Sequence, residues 1–152
     1  MATALIICIG NDLVADDGAG KAVHAGLAAG TLAAGTRLVF LGLGGIDLLE
    51  EMNGEDLLVV VDAVQLGAAP GFVHVLDWEA IPAQGPRPVS GHGIGIREAI
   101  EIGRRLYPEK IPHNIYFVGI EGKCFNQLGQ WMSPQVAAAV PRAVEQVLRL
   151  LP

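Results

Sequence analysis

Leu57-Leu58-Val59-Val60-Val61-Asp62-Ala63-Val64-Gln65-Leu66-Gly67-Ala68-Ala69-Pro70-Gly71-Phe72-Val73-His74-Val75-Leu76 is the stretch on which the fold turns. Its first five residues form an apolar, β-branched run, the pattern of a strand buried on both faces. Phe72–Leu76 reads as a second strand. The residues between them contain glycine and proline. They are too few for a helical crossover, which takes about a dozen residues or more. The later strand is therefore expected to run antiparallel to the earlier one, as a hairpin. The sheet is then mixed, unlike the all-parallel sheet of a dinucleotide-binding fold.

Working outward, Leu5–Ile9, Leu38–Leu41 and Ile115–Gly119 are also strand candidates, for a total of five. Helices are expected between most of them. Gly18 to Leu32 carries Ala19, Val23 and Leu27 at helical spacing, and Ile46 to Met52 is a shorter helix. Gly91 to Tyr107 places Ile96, Ile100, Gly103 and Tyr107 on one face. The last helix opens at Ser133-Pro134, a capping residue followed by proline in the first turn. Its stripe is Val136, Val140, Val144, Val147 and Leu151, and Pro141 is expected to kink it or weaken one turn. Ala83 to Val89 is a proline-containing loop that leads to Ser90-Gly91-His92.

The 152 residues suit one domain spanning residues 1–152. A chain 51% apolar and 17% charged fits a sheet covered on both faces. The net charge of -6 argues against nucleic acid, whose phosphates call for a basic stripe. No run approaches the roughly 20 apolar residues of a membrane span, so no membrane insertion is expected. Met1-Ala2-Thr3-Ala4-Leu5 lacks a basic n-region, which points to the cytoplasm. Cys8 and Cys124 form no CxxC pair, so structural zinc is not expected. Cys8 reads as a core residue. Cys124, beside Lys123, has a reactive thiol as its less favoured reading.

The chemistry gathers at strand ends, where open α/β sheets carry their sites. Gly10-Asn11-Asp12-Leu13-Val14-Ala15-Asp16-Asp17-Gly18 follows the first strand, and Asp62 follows the apolar run of the third. If those strands are parallel neighbours, Asp17 and Asp62 share one sheet edge. Asp16 is a further ligand candidate, but capping the next helix is its favoured role. Gly10 allows a sharp exit from the strand, and Asn11 can hydrogen-bond the loop backbone. His92 sits between two glycines before an amphipathic helix. The positive field of a helix N-terminus favours the neutral imidazole, the form that binds metal. Two carboxylates and an imidazole suit nickel or zinc. A phosphate-cradling loop is disfavoured, since neither GxGxxG nor GK[ST] is present.

Other residues rank lower. His24 is expected at a helix rim, His74 pointing outward from its strand, and His113 in a loop. Glu50 and Glu51 read as a solvated face, and Glu121 as a residue able to reach the site rim. Trp131 and Met132 are expected to be packing residues.

Gly10-Asn11-x-Leu13-x-x-Asp16-Asp17-Gly18-x-Gly20, Asp62-Ala63, Pro70-Gly71 and Ser90-x-His92 together resemble the hydrogenase maturation proteases, over nearly the whole chain. The resemblance implies a three-layer α/β/α sandwich with a mixed, mostly parallel five-stranded sheet. It implies a cytoplasmic endopeptidase that trims a C-terminal extension from the large-subunit precursor of a nickel-iron hydrogenase, after nickel insertion. The family's metal-contacting acids and histidine fall on Asp17, Asp62 and His92. Nickel is then expected to arrive with the substrate and not to be permanently bound. One departure stands out. Many members carry Asp-Gly-Gly after the second strand, in a loop tied to substrate recognition; here Phe40-Leu41-Gly42-Leu43-Gly44-Gly45 has no acid.

Two mechanisms stay open on the residues alone: attack by a metal-bound water, or a carboxylate acting as general base. Two other classes compete. A phospho-accepting receiver module also uses acids after its first and third strands, but the expected hairpin leaves no room for its helix. A general metal-dependent amidase usually needs more ligands.

Overall fold

The computed structural model describes residues 2–11, 15–42, 45–80, 95–123, 125 and 131–152. In chain order the elements are β1 (Ala4–Ile9), a 3-10 turn (Ala15–Gly18), α1 (Ala19–Ala28), β2 (Thr36–Leu41), α2 (Asp47–Glu51) and β3 (Leu57–Val64). Then come β4 (Val73–Asp77), a second 3-10 turn (Trp78–Ala80), α3 (Ile96–Leu106), β5 (Asn114–Glu121) and α4 (Pro134–Leu150). The sheet order is β2-β1-β3-β5-β4. All neighbours are parallel except β4 and β5. The mixed, mostly parallel sheet expected from the sequence is the one found.

Strict alternation along the central strands builds the layers. Ala4, Ile6 and Cys8 of β1, with Leu57, Val59, Val61 and Ala63 of β3, pack under α1 and α4. Leu5, Ile7 and Ile9, with Leu58, Val60 and Val64, pack under α2 and α3. Each large aliphatic side chain so buried stabilises the fold by about 1.5–3 kcal/mol before entropy is counted. Central strands covered on both faces make a stiff base for groups at their ends.

One expectation about pairing does not hold. β4 runs antiparallel to β3, but it bonds to β5, and β5 lies between them. The connection is pinned in place as it crosses the end of β5. Leu66 N–H donates to both carboxylate oxygens of Glu121 at 3.0 Å, and Gly71 N–H donates to the Glu121 carbonyl at 2.8 Å. Gly71 has φ +88°, and a side chain there would overlap the Gln135 backbone. Only glycine brings the turn this close to α4.

The helices differ from expectation in detail. α1 ends at Ala28, well short of Leu32, and is preceded by the 3-10 turn. α4 runs through Pro141 without a break, and its buried stripe is Val136, Ala139, Ala143 and Val147. Two alanines take the fully buried middle positions, with Val140 and Val144 only partly buried against the same core, so the helix packs close to the strands. α1 and α4 also meet tightly: a Cβ on Gly26 would lie 2.8 Å from Val144 Cγ2.

Candidate active site

β1 and β3 are parallel neighbours, with Cys8 beside Val61. The chain leaves β1 through Gly10, whose N–H donates to the Leu41 carbonyl at 3.2 Å. Asn11 N–H then donates to the Asp17 carbonyl at 3.0 Å, closing the loop onto the 3-10 turn. A Cβ on Gly10 would sit 2.6 Å from that carbonyl, so a larger residue would push the turn away. Gly20 is tighter still, because its Cβ would collide with the Ile9 carbonyl. Ala15 opens the turn at φ +33°, a strained angle for a non-glycine residue.

The 3-10 turn packs against β3, so Asp17 and Asp62 come to the same edge of the sheet. Asp17 is 7% exposed and Asp62 fully buried. The apolar run Leu57–Val61 predicts Asp62 at a strand end. Instead β3 continues to Val64, and Asp62 lies inside the strand. It shares the parity of Leu58, Val60 and Val64, so it faces the α2–α3 layer. Gly119 is its register partner on β5. A Cβ on Gly119 would come within 2.9 Å of Val64 and Phe117, so only glycine lets those two side chains pack over the strand at this position. Ala63 N–H donates to Asp62 Oδ1 at 2.8 Å.

Asp16 forms no side-chain cap on α1. Its buried carboxylate accepts from Lys123 N–H at 2.8 Å, Ser133 N–H at 2.6 Å and Ser133 Oγ at 2.8 Å. These bonds clamp the turn after β1 to the start of α4. Ser133 is spent on the same clamp and does not cap α4 through its side chain.

His92 lies outside the described residues, as do Ser90, Gly91, Cys124 and the Leu43-Gly44 pair. The next described element, α3, ends beside the opposite edge of the sheet, where Gly54 N–H donates to the Lys110 carbonyl at 2.8 Å. Its first turn, Ile96–Ala99, therefore points toward the edge that carries Asp62. Among the described residues no three histidine, cysteine or acidic side chains are grouped to hold a metal ion.

Three further residues depart from expectation. His74 does not point freely outward; its Nε2 lies 3.0 Å from Glu121 Oε1, and its ring meets Phe72 edge-on at 4.8 Å. Glu121 is a buried anchor for the β3–β4 connection rather than a rim residue. Trp131 is 94% exposed and packs against nothing that would bury it. A lone acid at the end of a strand was the only sequence signal for Glu121, and nothing in the periodicity distinguished Trp131 from a core residue.

Cys8 is a core residue, as expected. Burial first, and the nearby Asp62 charge second, push its thiol up from 9.0 to about 12. A raised folded-state value means the thiol's contribution to stability is complete below its unfolded pKa and is lost as pH rises toward 12. The drop in urea midpoint between about pH 8 and about pH 10.5 should therefore be smaller in Cys8→Ala than in wild type, since the common tyrosine and lysine titrations cancel. Equal drops would contradict this.

The fold and this edge define a class: a three-layer α/β/α protein with two buried carboxylates delivered by adjacent parallel strands to one end of the sheet. The model of the hydrogenase maturation proteases matches residues 24–150, and the chain belongs to that family. It is 29% identical over 149 residues to the hydrogenase expression/formation protein HupD of Thiocapsa roseopersicina, covering 97% of this chain and 66% of that protein. It is 29% identical over 150 residues to the hydrogenase 2 maturation protease of Escherichia coli (strain K12), covering 97% and 89%. Among solved structures, the hydrogenase maturating endopeptidase HybD from E. coli aligns with a TM-score of 0.84 at 26% identity, over 97% of this chain and 90% of that one. The [NiFe] hydrogenase maturation protease HybD from Thermococcus kodakarensis aligns with a TM-score of 0.79 at 29% identity, over 99% of both.

Proposed function

We propose that this protein is the endopeptidase that removes the C-terminal extension of a nickel-iron hydrogenase large-subunit precursor once nickel has been inserted. The observation that carries the reading is the arrival of Asp17 and Asp62, both buried, at one sheet edge in a chain of this family. Two carboxylates with the His92 imidazole make a donor set suited to a borderline cation such as nickel. Nickel is part of the substrate in this reading, and contact with it would align the scissile bond. A carboxylate at this edge can also take a proton from an attacking water. The cytoplasmic location rests on the family resemblance.

The test uses nickel-loaded and nickel-free precursor with chelator-dialysed enzyme. Only the loaded precursor should be shortened, read as a mobility shift, because the cation arrives on the substrate. Asp17→Asn should slow the cut by about 100-fold or more, the scale of a lost acid-base or orienting group. Equal cleavage of both precursors would reject the nickel-dependent reading. Phosphorylation by acetyl phosphate, with neither precursor cut, would favour a receiver-like module.

A further inference from the structure

We infer that Ser133, acting through the Asp16 carboxylate, is a positioning residue that fixes Asp17 relative to Asp62. The inference rests on the endopeptidase reading above, in which both of those carboxylates take part in the cut.

A four-residue 3-10 turn is a poor support for a reacting group, because its hydrogen bonds have poorer geometry than those of an α-helix. This one, Ala15–Gly18, also opens at φ +33°. Its shape is therefore imposed from outside, and two supports reach it. On the β1 side, Asn11 N–H donates to the Asp17 carbonyl at 3.0 Å. On the other side stands the fully buried Asp16 carboxylate. It accepts from Lys123 N–H, just past β5, and from the N–H and hydroxyl of Ser133, just before α4.

These contacts close a path between the two candidate carboxylates. Asp62 precedes Val64 by two residues on β3. The Val64 carbonyl accepts from Gly122 N–H at 2.9 Å. The next residue, Lys123, donates to Asp16 Oδ2 at 2.8 Å, and Asp17 follows Asp16 in the turn. Each link from Asp62 to Asp17 is thus a chain step or a hydrogen bond. Ser133 sets where the middle of this path lies, since it holds both Asp16 oxygens, Oδ1 at 2.6 Å and Oδ2 at 2.8 Å. A carboxylate gripped at both oxygens cannot turn without breaking a charge-assisted bond. A shift of about 1 Å at a reacting group can cost about 100-fold in rate.

The experiment measures kinetics on nickel-loaded precursor, well below the melting temperature. Ser133→Ala removes the hydroxyl bond and keeps the N–H bonds of Ser133 and Lys123. It should lower kcat about tenfold or more with KM within about twofold, the pattern of a geometry needed only in the transition state. Ser133→Thr keeps the hydroxyl and should restore kcat to within about twofold of wild type. Asp16→Asn turns one acceptor into a donor that faces another donor, and should also lower kcat at unchanged KM; it carries the test if Ser133→Ala does not fold. Val147→Ala, a buried change at the far end of α4, should lower the melting temperature and leave kcat unchanged. Wild-type kcat in Ser133→Ala, alongside an inactive Asp62→Asn, overturns the positioning role and leaves the endopeptidase standing. A Ser133→Thr variant as slow as Ser133→Ala, or a Val147→Ala variant slowed equally, makes Ser133 a packing residue and also overturns it. No cleavage by the wild-type protein overturns both.

Discussion

Asp62→Asn is expected to reduce cleavage of nickel-loaded precursor by about 1,000-fold or more while the protein stays folded, the loss expected when a positioned carboxylate is neutralised. The change keeps the size of the side chain and an oxygen for the Ala63 N–H, bonded at 2.8 Å. What it removes is a negative charge in a fully buried position. The amide has the same shape and packs in the same place, so the variant should still fold and melt cooperatively. Function is then lost without loss of the fold. Mobility-shift cleavage and thermal melting measured together check both halves. Normal cleavage by the variant would remove the central residue of the proposed site. Asp12→Asn, a nearby acid outside that site, is the matched control and should cleave normally.

Asp16→Ala is expected to destabilise the protein by about 3–5 kcal/mol, because three hydrogen bonds to a buried carboxylate are lost and their donors are stranded. For a chain of 152 residues this corresponds to a fall in melting temperature of about 6–20 °C. Asp16→Asn keeps one acceptor oxygen and should lose roughly half as much. Urea denaturation gives the magnitude, and amide exchange at Ser133 and Lys123 tests whether the loss sits at the clamp. A change within about 1 kcal/mol for the alanine variant would show that the clamp does not hold the fold. The adjacent aspartates thus have contrasting predicted effects: Asp16→Ala on the fold, and Asp17→Asn on the reaction.

The sequence carried the central sheet because β1 and β3 are apolar at every position over several residues, a pattern that few other structures accept. It also carried the direction of β4, since a short Gly- and Pro-containing link rules out a helical crossover. It did not carry the neighbour of β4. That depends on Glu121, some 50 to 55 residues beyond Leu66 and Gly71, capturing both, and no local pattern encodes such a bond. Asp62 was placed in the right run but given the wrong surroundings. A polar residue after five apolar ones reads as a strand end, yet Ala63 and Val64 extend the pairing and draw the carboxylate inside. Asp16 was read as a helix cap because its partner Ser133 is distant in sequence; adjacent acids before a helix look alike until the far end of the chain is in place. Trp131, just before the last helix, reads as a packing residue, and only the folded chain shows it 94% exposed.

The insertion of β5 between β3 and β4 has a consequence for the order in which the chain matures. Leu57 pairs with Asn114, and the Asp16 clamp closes on Ser133 across 117 residues. Contacts this distant in sequence form late, after much loop-closure entropy has been paid. During synthesis, a chain that has emerged only as far as β4 already contains Asp17 and Asp62, but it has no Gly119 beside one and no Ser133 to brace the turn carrying the other. In the proposed reading, the arrangement that would cut a polypeptide is completed only once β5 and the start of α4 have been made. A chain stopped at β4 is then expected to be inactive: the topology itself would delay proteolytic competence.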